Sequence, residues 1–149
     1  MKKILSVLLF CFFIISCQSQ KIVDLKNGEE ITKYFLGTWT FVEKKYKDNG
    51  EIKVFNLHEC MKQYELIFKN ENQKTLMTKT FATSEDCKIK SKTDDFLVTI
   101  SGGSFSYKEE DLKKVEQYKI YSENKFSIIY GDIINGKVTE IEDFYQRKK

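Results

Sequence analysis

The chain has 149 residues and nearly balanced charge, with 25 Lys and Arg against 22 Asp and Glu. That length suits one domain with one modest core, and a formal charge of +3 excludes the strongly basic surface that nucleic-acid binding needs. Proline is absent, and 12 Phe, 8 Tyr and 1 Trp among many β-branched residues favour β structure.

Lys2 and Lys3 precede an apolar run at residues 4–15, followed by Ser16, Cys17 and a polar stretch at 18–21. A positive start, a short apolar segment and a small residue before a cut are the marks of a secretory signal. As a helix the apolar run spans about 18 Å, short of the roughly 30 Å hydrocarbon core. Ile14, Ile15, Ser16 and Cys17 resemble the bacterial lipobox, in which the cysteine sulfur receives the lipid. The resemblance implies a cleaved signal at 1–16, a lipidated Cys17, a tether over 17–27 and a domain over 28–149. Several acyl chains on one residue anchor a protein stably, since each buried CH₂ contributes roughly 0.8 kcal/mol. No acid follows Cys17 within residues 18–21. By the same resemblance, the expected place is the bacterial cell envelope, at the outer membrane and facing the periplasm. Cleavage also removes Lys2 and Lys3, so the 25 basic side chains become 23 against 22 acidic ones.

Residues 28–36 carry acids at the front, then Ile31, Phe35 and Leu36, a spacing that predicts a short helix ended by Gly37. From there the period changes to two. Trp39 and Phe41 share one face of a strand over 38–47, and Asp48-Asn49-Gly50 is a hairpin signal leading to a strand at 51–56. Residues 56–62 read as a loop or single helical turn carrying Cys60. Tyr64, Leu66 and Phe68 alternate in the next strand, Asn70-Glu71-Asn72 turns the chain, and 74–82 forms another strand. Residues 83–94 are polar and carry Cys87. Phe96, Val98 and Ile100 alternate before Gly102-Gly103, and a short strand follows at 105–107. Strands at 114–122 and from Phe126 through Ile128 and Tyr130 are joined by Glu123-Asn124. Asn135-Gly136 gives a second strong hairpin signal before a last strand at 137–147. Eight to nine short antiparallel strands joined by hairpins predict an all-β up-and-down barrel or a sandwich.

Cys11 leaves with the signal and Cys17 is consumed by lipid, which leaves Cys60 and Cys87 in an oxidising compartment. A disulfide is the expected pairing. Two free thiols and a metal role are the alternatives.

Gly37-Thr38-Trp39 stands at the entry of the first strand, and Arg147, the one arginine, ends the last. This resembles the G-x-W signature of the lipocalin superfamily, in which the Trp closes one barrel end and a late Arg packs across its indole. The resemblance covers residues 31–147. It implies a small eight-stranded antiparallel up-and-down barrel with a short N-terminal helix, closed by the pair Trp39 and Arg147. A planar guanidinium suits an aromatic face better than a lysine does.

The chemistry of catalysis is thin. His58 is the single histidine, no serine motif supports it, and a nucleophile needs a base oriented by a third group. His58 with Cys60, Glu85, Asp86 and Cys87 does not make a dependable zinc site, so no metal or cofactor is expected. The acidic runs Glu109-Glu110-Asp111 and Asp94-Asp95 read as solvated turns. Gly102-Gly103-Ser104 lacks the lysine of a phosphate loop. No enzyme is expected. The first functional expectation is a membrane-anchored barrel that binds a small apolar ligand. Its candidate lining is the alternating set Phe41, Tyr64, Leu66, Phe68, Phe96, Val98, Ile100, Phe126, Ile128 and Tyr130. These residues serve equally to fill a solid core. The second expectation is an interaction module whose loops 56–62 and 83–94 dock an envelope protein partner.

Overall fold

The computed structural model describes residues 28–149. The expected signal, lipidated Cys17 and tether lie outside the described residues.

Helix α1 (Gly28–Phe35) has Glu29 and Glu30 in its first turn and Lys33 in its last, matching the helix dipole. It buries Tyr34 and Phe35. Gly37 then turns the chain into the sheet at φ +111°, a conformation that disfavours any side chain. A Cβ there would also lie 3.4 Å from Arg147 Nη1.

The strands follow as β1 (Gly37–Asp48), β2 (Glu51–Val54), β3 (Glu65–Glu71), β4 (Lys74–Thr83), β5 (Ile89–Lys92) and β6 (Phe96–Leu97). Then come β7 (Thr99–Ser101), β8 (Ser104–Glu109), β9 (Leu112–Ser122), β10 (Lys125–Ile134) and β11 (Lys137–Arg147). Asn49-Gly50 and Asn135-Gly136 both take positive φ at two successive positions, as the tight hairpins β1–β2 and β10–β11 require.

The sheet runs β5-β4-β3-β1-β11-β10-β9-β8-β7, all antiparallel, with β2 added to β1 and β6 to β4. Strands β6 and β7 are one extended run split at Val98, whose N–H donates to Thr75 O at 2.9 Å. Its first part pairs with β4 and its second with β8, and this change of partner closes the barrel. Counting β6 and β7 together, eight strands form the wall, and β2 and β5 are accessory. The eight-strand expectation therefore holds, although residues 83–94, read from sequence as polar loop, contain β5.

Two bulges set which side chains face inward. Phe41 pairs with Tyr145 but Glu43 pairs with Phe144, so Val42 is an extra, exposed residue in β1. A bulge moves every later side chain to the opposite face. Lys44 thus comes opposite the inward-facing Asp143, where simple alternation from Trp39 and Phe41 would have put Glu43 and Lys45 inside. The second bulge lies between β9 and β10, where Ser122 pairs with Lys125 and Ile120 with Phe126.

The core fills the barrel end that α1 enters. The Phe35 ring meets Phe105 and Tyr118 at 4.8 Å and Phe126 at 5.0 Å, all edge to face, a favourable aromatic geometry. Phe68, Met77 and Val98 complete this floor.

Candidate ligand cavity

The floor is locked by the two residues of the G-x-W reading. Trp39 is fully buried and its Nε1 donates to Phe35 O at 2.7 Å. The Arg147 guanidinium lies 4.1 Å from the indole centroid. Its Nη1 donates to Leu36 O at 2.8 Å and its Nη2 to Tyr34 O. These carbonyls belong to the end of α1, where the last C=O groups have no helical partner. Arg147 therefore covers the indole and caps the plug helix at once.

Farther along the strands the interior opens into a cavity of about 210 Å³. Of the ten lining candidates read from sequence, Tyr64, Leu66, Ile128 and Tyr130 border it. Phe68, Val98 and Phe126 are instead buried in the floor, with Phe96 and Ile100 packed against them. Phe41 is buried between Tyr64 and Tyr145. The lining expectation is thus corrected for six of the ten: five pack in or against the floor that the α1 plug fills, and Phe41 is covered by Tyr64 and Tyr145.

The cavity wall is also more polar than expected. Lys79, Glu116, Asp143 and Tyr145 border it. Lys44 Nζ donates to Tyr130 Oη at 2.8 Å and lies 3.3 Å from Asp143 Oδ1. Tyr130 in turn donates to Asp143 Oδ2 at 3.1 Å. On the facing wall Lys79 Nζ donates to Tyr107 Oη at 2.7 Å, and Tyr107 donates to Glu116 Oε1 at 2.9 Å. Lys79 Nζ also lies 3.8 Å from Glu109 and 4.8 Å from the Tyr107 ring centroid. Burial pushes the Asp143 carboxyl above the usual range, against the pull of Lys44. Burial first, and then the charges of Asp143 and Glu116, hold the Tyr145 phenol well above its ordinary value.

Sequence reasoning missed these charged groups. Lys79 stands two residues from Met77 and Phe81, Glu116 two from Tyr118, and Asp143 two from Tyr145, so period-two reading extended through charged positions would have found all three. Lys44 was hidden by the bulge. The acidic runs lie where expected: Asp94, Asp95, Glu110 and Asp111 are exposed outside the strands, Glu109 at the end of β8 lies 3.8 Å from Lys79, and Asp95 accepts a hydrogen bond from the buried Thr78.

Cys60 and Cys87 are bonded, with a Cα–Cα distance of 5.0 Å. Both are buried beside Ala82, and the bond ties the segment before β3 to the turn after β4. His58 Nδ1 accepts from the Cys60 N–H at 3.2 Å. The three side chains cluster, but sulfurs joined to each other are not metal ligands. A wider groove of about 790 Å³ crosses the outer wall past Lys62, Lys90, Lys92 and Lys148. Three of these lysines are already engaged: Lys62 with Glu59, Lys148 with Glu65 and Lys90 with Gln63.

A barrel closed by eight strands, plugged by a short helix and sealed by a Trp–Arg stack agrees with the sequence comparison, in which a family model described as a lipocalin-like domain matches residues 35–128. The chain belongs to the lipocalin-like domain family. The match begins at Phe35 in the plug, takes in Gly37-Thr38-Trp39 and stops in β10. Arg147 and β11 lie beyond it, and the pairing of β11 with β1 and β10 completes the lipocalin-like barrel. No curated protein matches the sequence.

Proposed function

We propose that this lipocalin-like protein is a lipid-anchored binding protein of the bacterial envelope that holds a small molecule inside its barrel. The observation that carries the reading is the division of the interior. One half is packed solid with aromatic side chains, and the other keeps a cavity of about 210 Å³ walled by rings and hydrogen-bonded charges. An apolar cavity of about 150 Å³ admits a benzene-sized molecule, so this volume is on the scale of a ligand with one ring. It suits a compact ligand rather than a whole lipid. The aromatic wall accommodates the apolar body expected from sequence, and the charged pairs add a polar end to it. The binding role needs no catalytic step, and His58 lies on an exposed loop rather than at the cavity.

The anchor rests on the lipobox resemblance at Cys17. Labelling cells with a radioactive fatty acid tests it: the wild-type chain takes up label and Cys17→Ser does not. Native mass spectrometry of protein isolated from its host tests the binding role. A reproducible added mass that is lost when Ile128→Trp fills the cavity supports it, and ligand-free spectra throughout oppose it.

The docking alternative draws on the Cys60–Cys87 bond, which fixes two loops at one end of β3 and β4. A partner captured by the wild type and lost from the Cys60→Ser, Cys87→Ser variant with an intact barrel would favour it.

A further inference from the structure

We propose that the ligand is a small organic ammonium compound whose charged nitrogen docks on Asp143, within the carboxylate field of Asp143 and Glu116 and against the rings of Tyr130 and Tyr145. The inference rests on reading the cavity as the ligand site and names the chemistry of that ligand.

Asp143 carries the first observation. Its Oδ2 accepts from Tyr130, whereas its Oδ1 is buried and accepts no hydrogen bond, although Lys44 Nζ lies 3.3 Å away. A buried acceptor without a donor is costly and uncommon in folded proteins. Oδ1 itself lies against Lys44 and has no accessible surface, but Asp143 borders the cavity, so its charge acts on a ligand held there. The second observation is the charge balance. The cavity border carries three carboxylates, Glu65, Glu116 and Asp143; Lys148 pairs with Glu65 and Lys44 with Asp143, whereas Glu116 accepts from Tyr107 and has no ion pair among the described residues. Lys44 and Lys79 are already engaged. Lys44 donates to Tyr130, and Lys79 donates to Tyr107 beside Glu109 with the Phe96 ring 5.8 Å away. An anionic ligand would have to break these bonds to find a cationic partner. A cationic ligand meets Glu116, a carboxylate at the cavity border with no ion pair among the described residues.

The third observation is the wall. Tyr64, Phe81, Tyr130 and Tyr145 border the cavity, and an aromatic face attracts an ammonium, the more strongly where water is excluded. After burial itself, the charge and hydrogen bond of Asp143, and then Asp132 and Glu116, raise the Tyr130 phenol, which agrees with a site suited to positive charge.

Isothermal titration of the full chain in detergent against phenethylammonium, phenylacetate and ethylbenzene tests the inference, because these probes share a ring and differ in charge. The expected result is phenethylammonium binding at least about tenfold tighter than either of the others. Asp143→Asn should weaken it by about tenfold or more, the scale of one charged hydrogen bond. Glu116→Gln, which spares the Lys44 pair, should weaken it less and serves if Asp143→Asn misfolds. Trp39 fluorescence checks folding in each variant. Tighter binding of phenylacetate or ethylbenzene, or affinity for phenethylammonium unchanged in both variants, overturns the ammonium inference while leaving the cavity as a ligand site. Binding of none of the three overturns both.

Discussion

Replacing Arg147 tests the account of how the barrel is closed. In Arg147→Ala the guanidinium leaves the Trp39 indole, a contact at 4.1 Å worth about 0.5–2 kcal/mol. Leu36 O and Tyr34 O lose charged hydrogen bonds at the end of α1, each worth about 1.5–3 kcal/mol when formed. Water reaches the exposed part of this site and recovers some of that loss, and the terms overlap, so a net destabilisation of about 2–4 kcal/mol is expected. Arg147→Lys keeps the charge but reaches the two carbonyls without the planar fork, and should lose about half as much. Urea titration followed by Trp39 fluorescence measures both, with the disulfide intact. The midpoint should fall while the slope stays constant, as for a change in stability alone. A stability loss below about 0.5 kcal/mol in Arg147→Ala would show that the stack and cap are ornamental, and the closure argument would fail.

Three further outcomes are expected. Cys60→Ser with Cys87→Ser should cost about 3–4 kcal/mol by loop entropy for a separation of 27, and its melting temperature should no longer respond to dithiothreitol. Because burial raises the native pKa of Asp143 above its unfolded value, its favourable contribution is complete below the unfolded value near 3.9 and is lost as pH rises through the native one. The stability of the wild type relative to Asp143→Asn should therefore fall as pH rises across that window, and a flat difference would contradict the burial argument. Finally, Lys44→Met with Asp143→Leu exchanges a buried ion pair for apolar volume, so stability should hold or rise by about 1–4 kcal/mol in a thermal melt. Severe destabilisation of this double variant would mean that the pair is there to hold the barrel together.

The fold was legible where one physical rule acted alone. Asn49-Gly50 and Asn135-Gly136 marked their hairpins because both demand positive φ, and the clean alternation of Tyr64, Leu66 and Phe68 marked an inward face. Trp39 and Arg147 were paired across more than a hundred residues through a family resemblance, since no local rule links the first strand to the last. What escaped was set by tertiary context. Nothing in the local pattern announces the Val42 bulge, which alone turns Lys44 inward. Nor does alternation tell a packed inward residue from a lining one. Phe126 and Ile128 are consecutive inward positions of β10, yet Phe126 packs on the Phe35 plug and Ile128 borders the cavity. The difference lies in how far α1 reaches into the barrel.

The placement of α1 bears on function as well as stability. A barrel of eight strands has an interior just wide enough for side chains to fill. Here the plug brings Phe35 into one end, where it meets Phe68, Phe105, Tyr118 and Phe126, and the other helical element of the described residues is the single turn Met61–Gln63 that leads into β3. The open half could have been filled with leucine and valine at no loss of stability, because a buried ion pair rarely outperforms apolar packing of the same volume. Instead it holds Lys44, Lys79, Glu116 and Asp143, and one carboxylate oxygen is left without a hydrogen bond. Groups that cost free energy when buried, gathered at the half of the barrel that is not needed to close it, support the proposed ligand site.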